Sequence, residues 1–268
     1  MIALIAGTGA LPGLLAEALV ARGDPPVICE MAGFVPDVPA DLQLLRFRLE
    51  TLGTLLHSLR GMGVTRICLA GAVRRPVIDP TLIDAATQPL IAPLLAAMAK
   101  GDDGTLRGII ALLEAAGFVV VGADQIALDL LPGIGSQTRC GPCDTAPAYV
   151  DVGLAEIARM GQEDTGQACV VRGGLVIARE DAAGTDAMLC SLTLGSDEPR
   201  GNGILVKAPK PGQDRRADLP VIGPTTAMLA AEAGLAGIVL QAGGVMVIDL
   251  PQVVSILDAQ GMFLWVRP

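Results

Sequence analysis

Met1-Ile2-Ala3-Leu4-Ile5-Ala6-Gly7-Thr8-Gly9-Ala10-Leu11-Pro12-Gly13 opens the chain. An uncharged β-prone run passes into a glycine-rich turn and then into residues spaced for a helix. That succession is the strand–turn–helix context a nucleotide-binding βα unit requires. Glycines at 7, 9 and 13 would let a backbone approach a phosphate at a helix N-terminus, where free N–H groups and the helix dipole favour anions. Glu30 follows the second apolar run about 20 residues on, where a dinucleotide fold places a ribose-binding acid. The spacing departs from G-x-G-x-x-G, because Pro12 holds the third position and the next glycine is Gly13. Two readings stay open: a phosphate-binding turn, and a turn that only packs helix on sheet.

Outward from this unit the same alternation repeats. Strands are expected at 2–6, 26–29, 44–48, 66–70 and 118–121, and helices at 10–21, 51–62, 82–99 and 103–116. Strands alternating with helices predict a parallel sheet covered by helices. Around 131–147 the pattern stops at a Pro/Gly-rich stretch that reads as a linker. A helix at 148–161 and strands at 168–172, 175–179, 203–208, 237–240 and 262–266 follow. The expected architecture is α/β in two domains with a cleft between them. A Rossmann-like parallel sheet occupies 1–131, a linker 132–147 and a C-terminal α/β catalytic domain 148–268.

Composition narrows the function. The 268 residues are 51% apolar and 18% charged, enough to bury a core and to exclude disorder. Six aromatic residues and a net charge of −9 argue against a nucleic-acid partner. Uncharged runs such as 219–231 and 233–248 fall short of the roughly 20 residues of a membrane span. The N-terminus lacks a basic segment before its apolar run, so a cytoplasmic protein without a secretory signal is expected. One histidine, His57, leaves no second imidazole for a His-rich zinc site. Cys140-Gly141-Pro142-Cys143 matches a redox tetrapeptide in composition, but it lies within the linker rather than between a strand and a helix.

Chemistry concentrates in Lys207-Ala208-Pro209-Lys210-Pro211-Gly212-Gln213-Asp214-Arg215-Arg216-Ala217-Asp218. Four cations and two carboxylates crowd twelve residues, stiffened by prolines. A solvated loop has no need of that rigidity, whereas a site gripping a diphosphate and a divalent metal does. Arg74-Arg75 follow the strand at 66–70, at the carboxyl end where parallel sheets bind ligands. Asp102-Asp103 head a helix, which capping and the helix dipole also explain. Asp164, Glu180 and Asp186 flank turns next to strands, where turn chemistry accounts for them equally well.

These residues carry a resemblance over essentially the whole length. Gly7-x-Gly9-x-Leu11-Pro12, Arg75-Pro76, Gly101-Asp102-Asp103, Glu114 with Gly117, Asp164-x-Gly166-Gln167, Gly184-Thr185-Asp186 and Lys207-x-x-Lys210-Pro211-Gly212-Gln213-Asp214-x-Arg216 resemble the LpxI-type UDP-2,3-diacylglucosamine pyrophosphatases of bacterial lipid A biosynthesis. The resemblance implies Mg²⁺-dependent hydrolysis of a nucleotide-sugar lipid to UMP and 2,3-diacylglucosamine 1-phosphate, with the lipid between the domains. The essential Asp of that family's last block falls on Asp214. Catalytic roles are expected for Asp214, Lys210, Arg216 and Asp186, and substrate contacts for Gly7, Gly9, Arg75, Lys207, Gln167, Gln213 and Thr185. Asp214, Asp164 and Glu180 are the expected metal ligands. Peripheral contact with the inner face of the inner membrane and a homodimer stay open. One departure stands out: Ala183 replaces a second acid after Glu180, and Cys190-Ser191 stands where an arginine often follows. The rivals are an NAD(P)-dependent oxidoreductase using Gly7, Gly9 and Glu30, and a degenerate relative that binds lipid or nucleotide without turnover.

Overall fold

The computed structural model describes residues 1–73, 77–192, 201–216 and 218–268. They form two compact units: Met1–Leu128 with Asp214–Asp218, and Asp129–Gln213 with Leu219–Pro268.

In the first unit, strands β1 (Ile2–Ala6), β2 (Val27–Met31), β3 (Leu44–Phe47), β4 (Arg66–Ala70) and β5 (Val119–Val121) form one sheet in the order β3-β2-β1-β4-β5. Every pairing is parallel, with Leu4 in register with Ile28 on one side and Cys68 on the other. β1 is central and buried at all five positions, which is why it reads as a continuous apolar run rather than an alternating one. Helices α1 (Leu11–Ala21), α2 (Leu52–Gly61), α3 (Gln88–Met98), α4 (Gly101–Ala115) and α5 (Ala123–Ile126) complete the unit. Leu55, Leu59, Leu94, Ile110 and Leu113 from α2–α4 bury against Ala3, Val27 and Ile67 of the sheet. Parallel strands with helical crossovers fulfil the Rossmann-like expectation.

The helix expected at 82–99 starts later, at Gln88. The Asp84 carboxylate accepts the Thr87 N–H at 2.6 Å, and Pro89 in the first turn has no N–H to supply. These two residues set the boundary that apolar periodicity alone places too early.

In the second unit, β6 (Gly135–Ser136), β7 (Ala168–Arg172), β8 (Leu175–Arg179), β9 (Ile204–Lys207), β11 (Gly237–Gln241) and β13 (Phe263–Arg267) form a sheet ordered β6-β13-β11-β9-β7-β8. β9, β11 and β13 run parallel; β7, β8 and β6 pair antiparallel with their neighbours. β6 lies inside the Pro/Gly-rich stretch, as a short edge strand on β13. A separate parallel pair joins β10 (Val221–Ile222) to β12 (Met246–Val247).

Helix α6 (Ala146–Glu163) covers one sheet face, where Gly153 admits β9 so closely that a Cβ there would lie 2.7 Å from Val206. Helices α7 (Thr185–Ser191), α8 (Pro224–Glu232) and α9 (Leu250–Ala259) were not anticipated. Their signals are local: Pro224 and Pro251 stand in the first turns, and the Asp249 carboxylate caps the Gln252 N–H at 3.1 Å. Among the described residues, no helix is long and apolar enough to cross a membrane.

Candidate active site

β9 carries the polar chemistry of the second unit, because it is a buried parallel strand that ends in a lysine. Lys207 is 3% exposed and its ammonium donates to the Thr185 hydroxyl, with Glu180 Oε1 at 3.5 Å. Thr185 in turn donates to Glu180 Oε1 at 2.6 Å, and the Gln167 N–H donates to Oε2 at 2.8 Å. Glu180 follows β8, Gln167 precedes β7 and Thr185 opens α7, so three strand or helix ends close on one buried ion pair. Gly166 is required there, since a Cβ would sit 2.5 Å from the Glu180 carbonyl oxygen. Gln167 Oε1 is buried without a hydrogen-bond partner, an acceptor open to a ligand donor.

Beyond β9, Lys210-Pro211-Gly212-Gln213 closes a type II turn. Proline pre-sets the second position, Gly212 takes φ +73°, and the Gln213 N–H donates to the Lys210 carbonyl at 3.1 Å. The Gln213 side chain locks the turn by accepting the Lys210 N–H at 3.0 Å. The Lys210 ammonium then reaches the Asp164 carboxylate at 2.6 Å. Asp164 ends α6 in a left-handed conformation (φ +53°), one of the few non-glycine residue types that tolerates it. Asp186, on α7, accepts the Thr226 hydroxyl of α8 at 2.7 Å.

The next residues of the same run belong to the first unit. Arg216 grips Asp214 with Nε on Oδ1 at 3.0 Å and Nη2 on Oδ2 at 2.7 Å, while its backbone N–H also donates to Oδ1. The Arg216 Nη1 extends to Glu114 on α4 at 2.6 Å, and Arg215 pairs with Asp124 at 3.2 Å. The Arg216 hydrogen bonds, with a further contribution from the charge of Arg107, hold the Asp214 carboxyl below the usual carboxylate range. Asp214 is therefore ionised at neutral pH and a weak base.

At the first βα turn, the Gly7 N–H donates to Ala70 O at 2.8 Å, and Thr8 and Ala72 exchange backbone hydrogen bonds at 2.9 Å. A Cβ on Gly7 would lie 2.4 Å from the Ala72 carbonyl oxygen, whereas Gly9 needs its glycine for φ +97°. The first two N–H groups of the turn thus tie β1 to the exit of β4. Arg74 and Arg75 lie outside the described residues. Glu30 pairs with Arg46 at 3.1 Å. Asp102 and Asp103 lie in the first turn of α4, with Asp103 on Arg107 at 2.8 Å. Ala183, the departure from the family pattern, is exposed in a turn where its N–H donates to Asp181 at 2.8 Å.

The structure thus gathers Lys207, Glu180, Thr185 and Gln167 into one cluster, and Lys210, Asp164 and Gln213 into a second. Asp214 and Arg216 form a third with Glu114. Glu114, Thr226 and Asp124 are partners that the sequence does not mark. Their contacts span 102, 40 and 91 residues, and no local pattern announces them. Asp214, Asp164 and Glu180 each rest on their own cation. Among the described residues, no three His, Cys, Asp or Glu side chains converge on a metal position.

A Rossmann-like sheet in one unit, with a cation-rich turn at the carboxyl end of a parallel strand in the other, defines an α/β protein equipped for phosphorylated ligands. The comparisons place it more closely. Residues 1–130 match the LpxI N-terminal domain and residues 133–265 the LpxI C-terminal domain, so the chain belongs to the LpxI family. It is 36% identical over 271 residues to the UDP-2,3-diacylglucosamine pyrophosphatase LpxI of Caulobacter vibrioides, covering 97% of this chain and 95% of that protein. The resemblance read from the motifs is borne out, and the dehydrogenase rival has no support.

Proposed function

We propose that this chain is a UDP-2,3-diacylglucosamine diphosphatase of lipid A biosynthesis. Water adds to one phosphorus, the bridging P–O bond breaks, and UMP and 2,3-diacylglucosamine 1-phosphate result. The observation that carries the reading is the run from Lys207 to Arg216. Past the buried Lys207 at the end of β9 it sets two partly exposed cations, Lys210 and Arg216, each bound to a carboxylate that keeps it oriented. Such preorganised cations are what developing charge on diphosphate oxygens requires. The relative's substrate supports the rest.

Lys210 and Arg216, with side chains 17% and 38% exposed, take phosphate oxygens. Lys207 is buried and serves to position Thr185 and Glu180 at the strand end. Asp214 orients the attacking water by hydrogen bonding rather than by keeping its proton, since a carboxyl held this low is an inefficient general base. Mg²⁺ is commonly bound by one or two carboxylates together with substrate phosphates. Asp214, ionised and with 20% of its side chain exposed, fits that pattern. A divalent ion at Glu180 would have to displace Lys207. When bound, the ion supplies Lewis-acid polarisation of a phosphoryl oxygen and a more acidic water. A cytoplasmic enzyme that meets its lipid substrate at the inner face of the inner membrane fits this reading.

The test is UMP release from UDP-2,3-diacylglucosamine, with Mg²⁺ or with EDTA. Metal-dependent UMP that disappears in Asp214→Ala is expected, and would show that Ala183 is tolerated. No UMP from folded protein overturns the reading. Full turnover in EDTA removes the metal, and an active Asp214→Ala removes the assigned residue.

A further inference from the structure

Cys140-Gly141-Pro142-Cys143 has the composition of a redox tetrapeptide and no part in the chemistry described above. In the fold it stands between strand β6 and the first turn of α6, a strand-to-helix setting that the Pro/Gly-rich sequence conceals. Cys29, Cys68 and Cys169 are buried; of the three exposed thiols, two are this pair and the third is Cys190. The backbone on either side of the pair is held. The Thr138 hydroxyl accepts the Leu264 N–H at 2.8 Å, and the Arg139 N–H and Nε reach the Asp258 carboxylate at 2.8 and 3.1 Å. The Cys140 carbonyl accepts the Thr138 and Ser136 hydroxyls at 2.9 and 3.2 Å. The Cys143 carbonyl accepts the N–H of Ala146, which is fully buried at the head of α6, and Cys143 Sγ lies 3.4 Å from the Thr145 hydroxyl. The middle is unencumbered. A Cβ on Gly141 would meet nothing within 4 Å, and Pro142 has no N–H to tie. Two anchored positions thus carry exposed thiols across two residues with room to swing to the roughly 4.4–6.8 Å Cα separation of a disulfide.

We propose that Cys140 and Cys143 form a reversible dithiol–disulfide site that reacts with low-molecular-weight disulfides of the glutathione class. One cysteine thiolate attacks a sulfur of the small disulfide, forming a mixed S–S bond and expelling one small thiolate. The other cysteine thiolate attacks the protein sulfur of that bond, closing the ring and expelling the second small thiolate. The protein gives up two electrons, and the two protons of its thiols pass to the two thiolates released. Ring closure ties the segment held by α9 and β13 to the entry of α6, the helix whose C-cap, Asp164, pairs with Lys210. The site stands independently of the diphosphatase reading.

The experiment equilibrates the reduced full chain, wild type and Cys190→Ser, with mixtures of reduced and oxidised glutathione in the absence of air. After acid quenching and alkylation, the products are read by intact mass and peptide mapping. A protein two hydrogens lighter, without bound glutathione and with its new bond mapped to Cys140 and Cys143, is expected in both. Ring closure releases two small thiols, whereas a mixed disulfide releases one. Diluting both forms of glutathione about tenfold at a fixed ratio should therefore raise the ratio of ring to dithiol about tenfold. Cys140→Ser and Cys143→Ser should each gain one glutathione at the remaining cysteine, in a proportion that the same dilution leaves unmoved. A native protein that carries a glutathione on each cysteine and no ring overturns the proposal. So does a pair that stays reduced at every ratio, or a bond that joins two copies of the chain instead of the two cysteines of one.

Discussion

Replacing Glu180 with alanine strands a buried cation, and the cost can be worked from the contacts. Lys207 is 3% exposed, so its ammonium cannot recover water without opening the sheet edge. Thr185 and the Gln167 N–H lose their acceptor in the same step. Removing one partner of a buried pair costs about 3–5 kcal/mol, and each orphaned donor accounts for part of that rather than adding to it. At a urea slope of about 2 kcal/mol per molar, the midpoint should fall by roughly 2 M. The assay is built in, because the single tryptophan, Trp265, lies on β13 and its fluorescence follows the second unit. Glu180→Leu combined with Lys207→Met removes the stranded charge and should recover at least half of the loss. A Glu180→Ala variant within about 1 kcal/mol of wild type, or a double variant as costly as the two single changes together, would refute the reasoning.

Two further outcomes follow from the same contacts. Arg216 lowers the Asp214 carboxyl, so wild-type activity should persist through the acid range and fall only below the ordinary carboxylate pKa. Arg216→Gln removes the cause and should move the acid limb of the pH–rate profile upward; an unmoved limb would break the link. Burial pushes the Cys29, Cys68 and Cys169 thiols up to about 12, whereas Cys140, Cys143 and Cys190 are exposed. A thiol reagent at pH 8 should therefore titrate three groups in the native protein and six in denaturant, and a fast native count of six would contradict the burial.

What the chain reveals without its fold is whatever repeats over short distances. β1 through β5 follow from apolar runs set between helical spacings, and the Lys210–Gln213 turn from proline followed by glycine. The density of charge from Lys207 to Asp218 marked the chemistry for the same reason: a local excess needs no partner to be visible. Where a local signal was missed, as at Pro224 and Asp249, the cap was present but short helices have too few turns to show a periodicity.

Only the tertiary structure decided which carboxylate answers which cation. Glu180 for Lys207, Asp164 for Lys210 and Glu114 for Arg216 are separated by 27, 46 and 102 residues. Nor does spacing show that one continuous charged run is shared, its start in the second unit and Asp214–Asp218 in the first. Hydrophobic periodicity records which face of an element leaves water, because that choice is made residue by residue along the chain. The pairing of buried charges is made where separate elements meet, and it depends on distances that exist only once the strands have been set side by side.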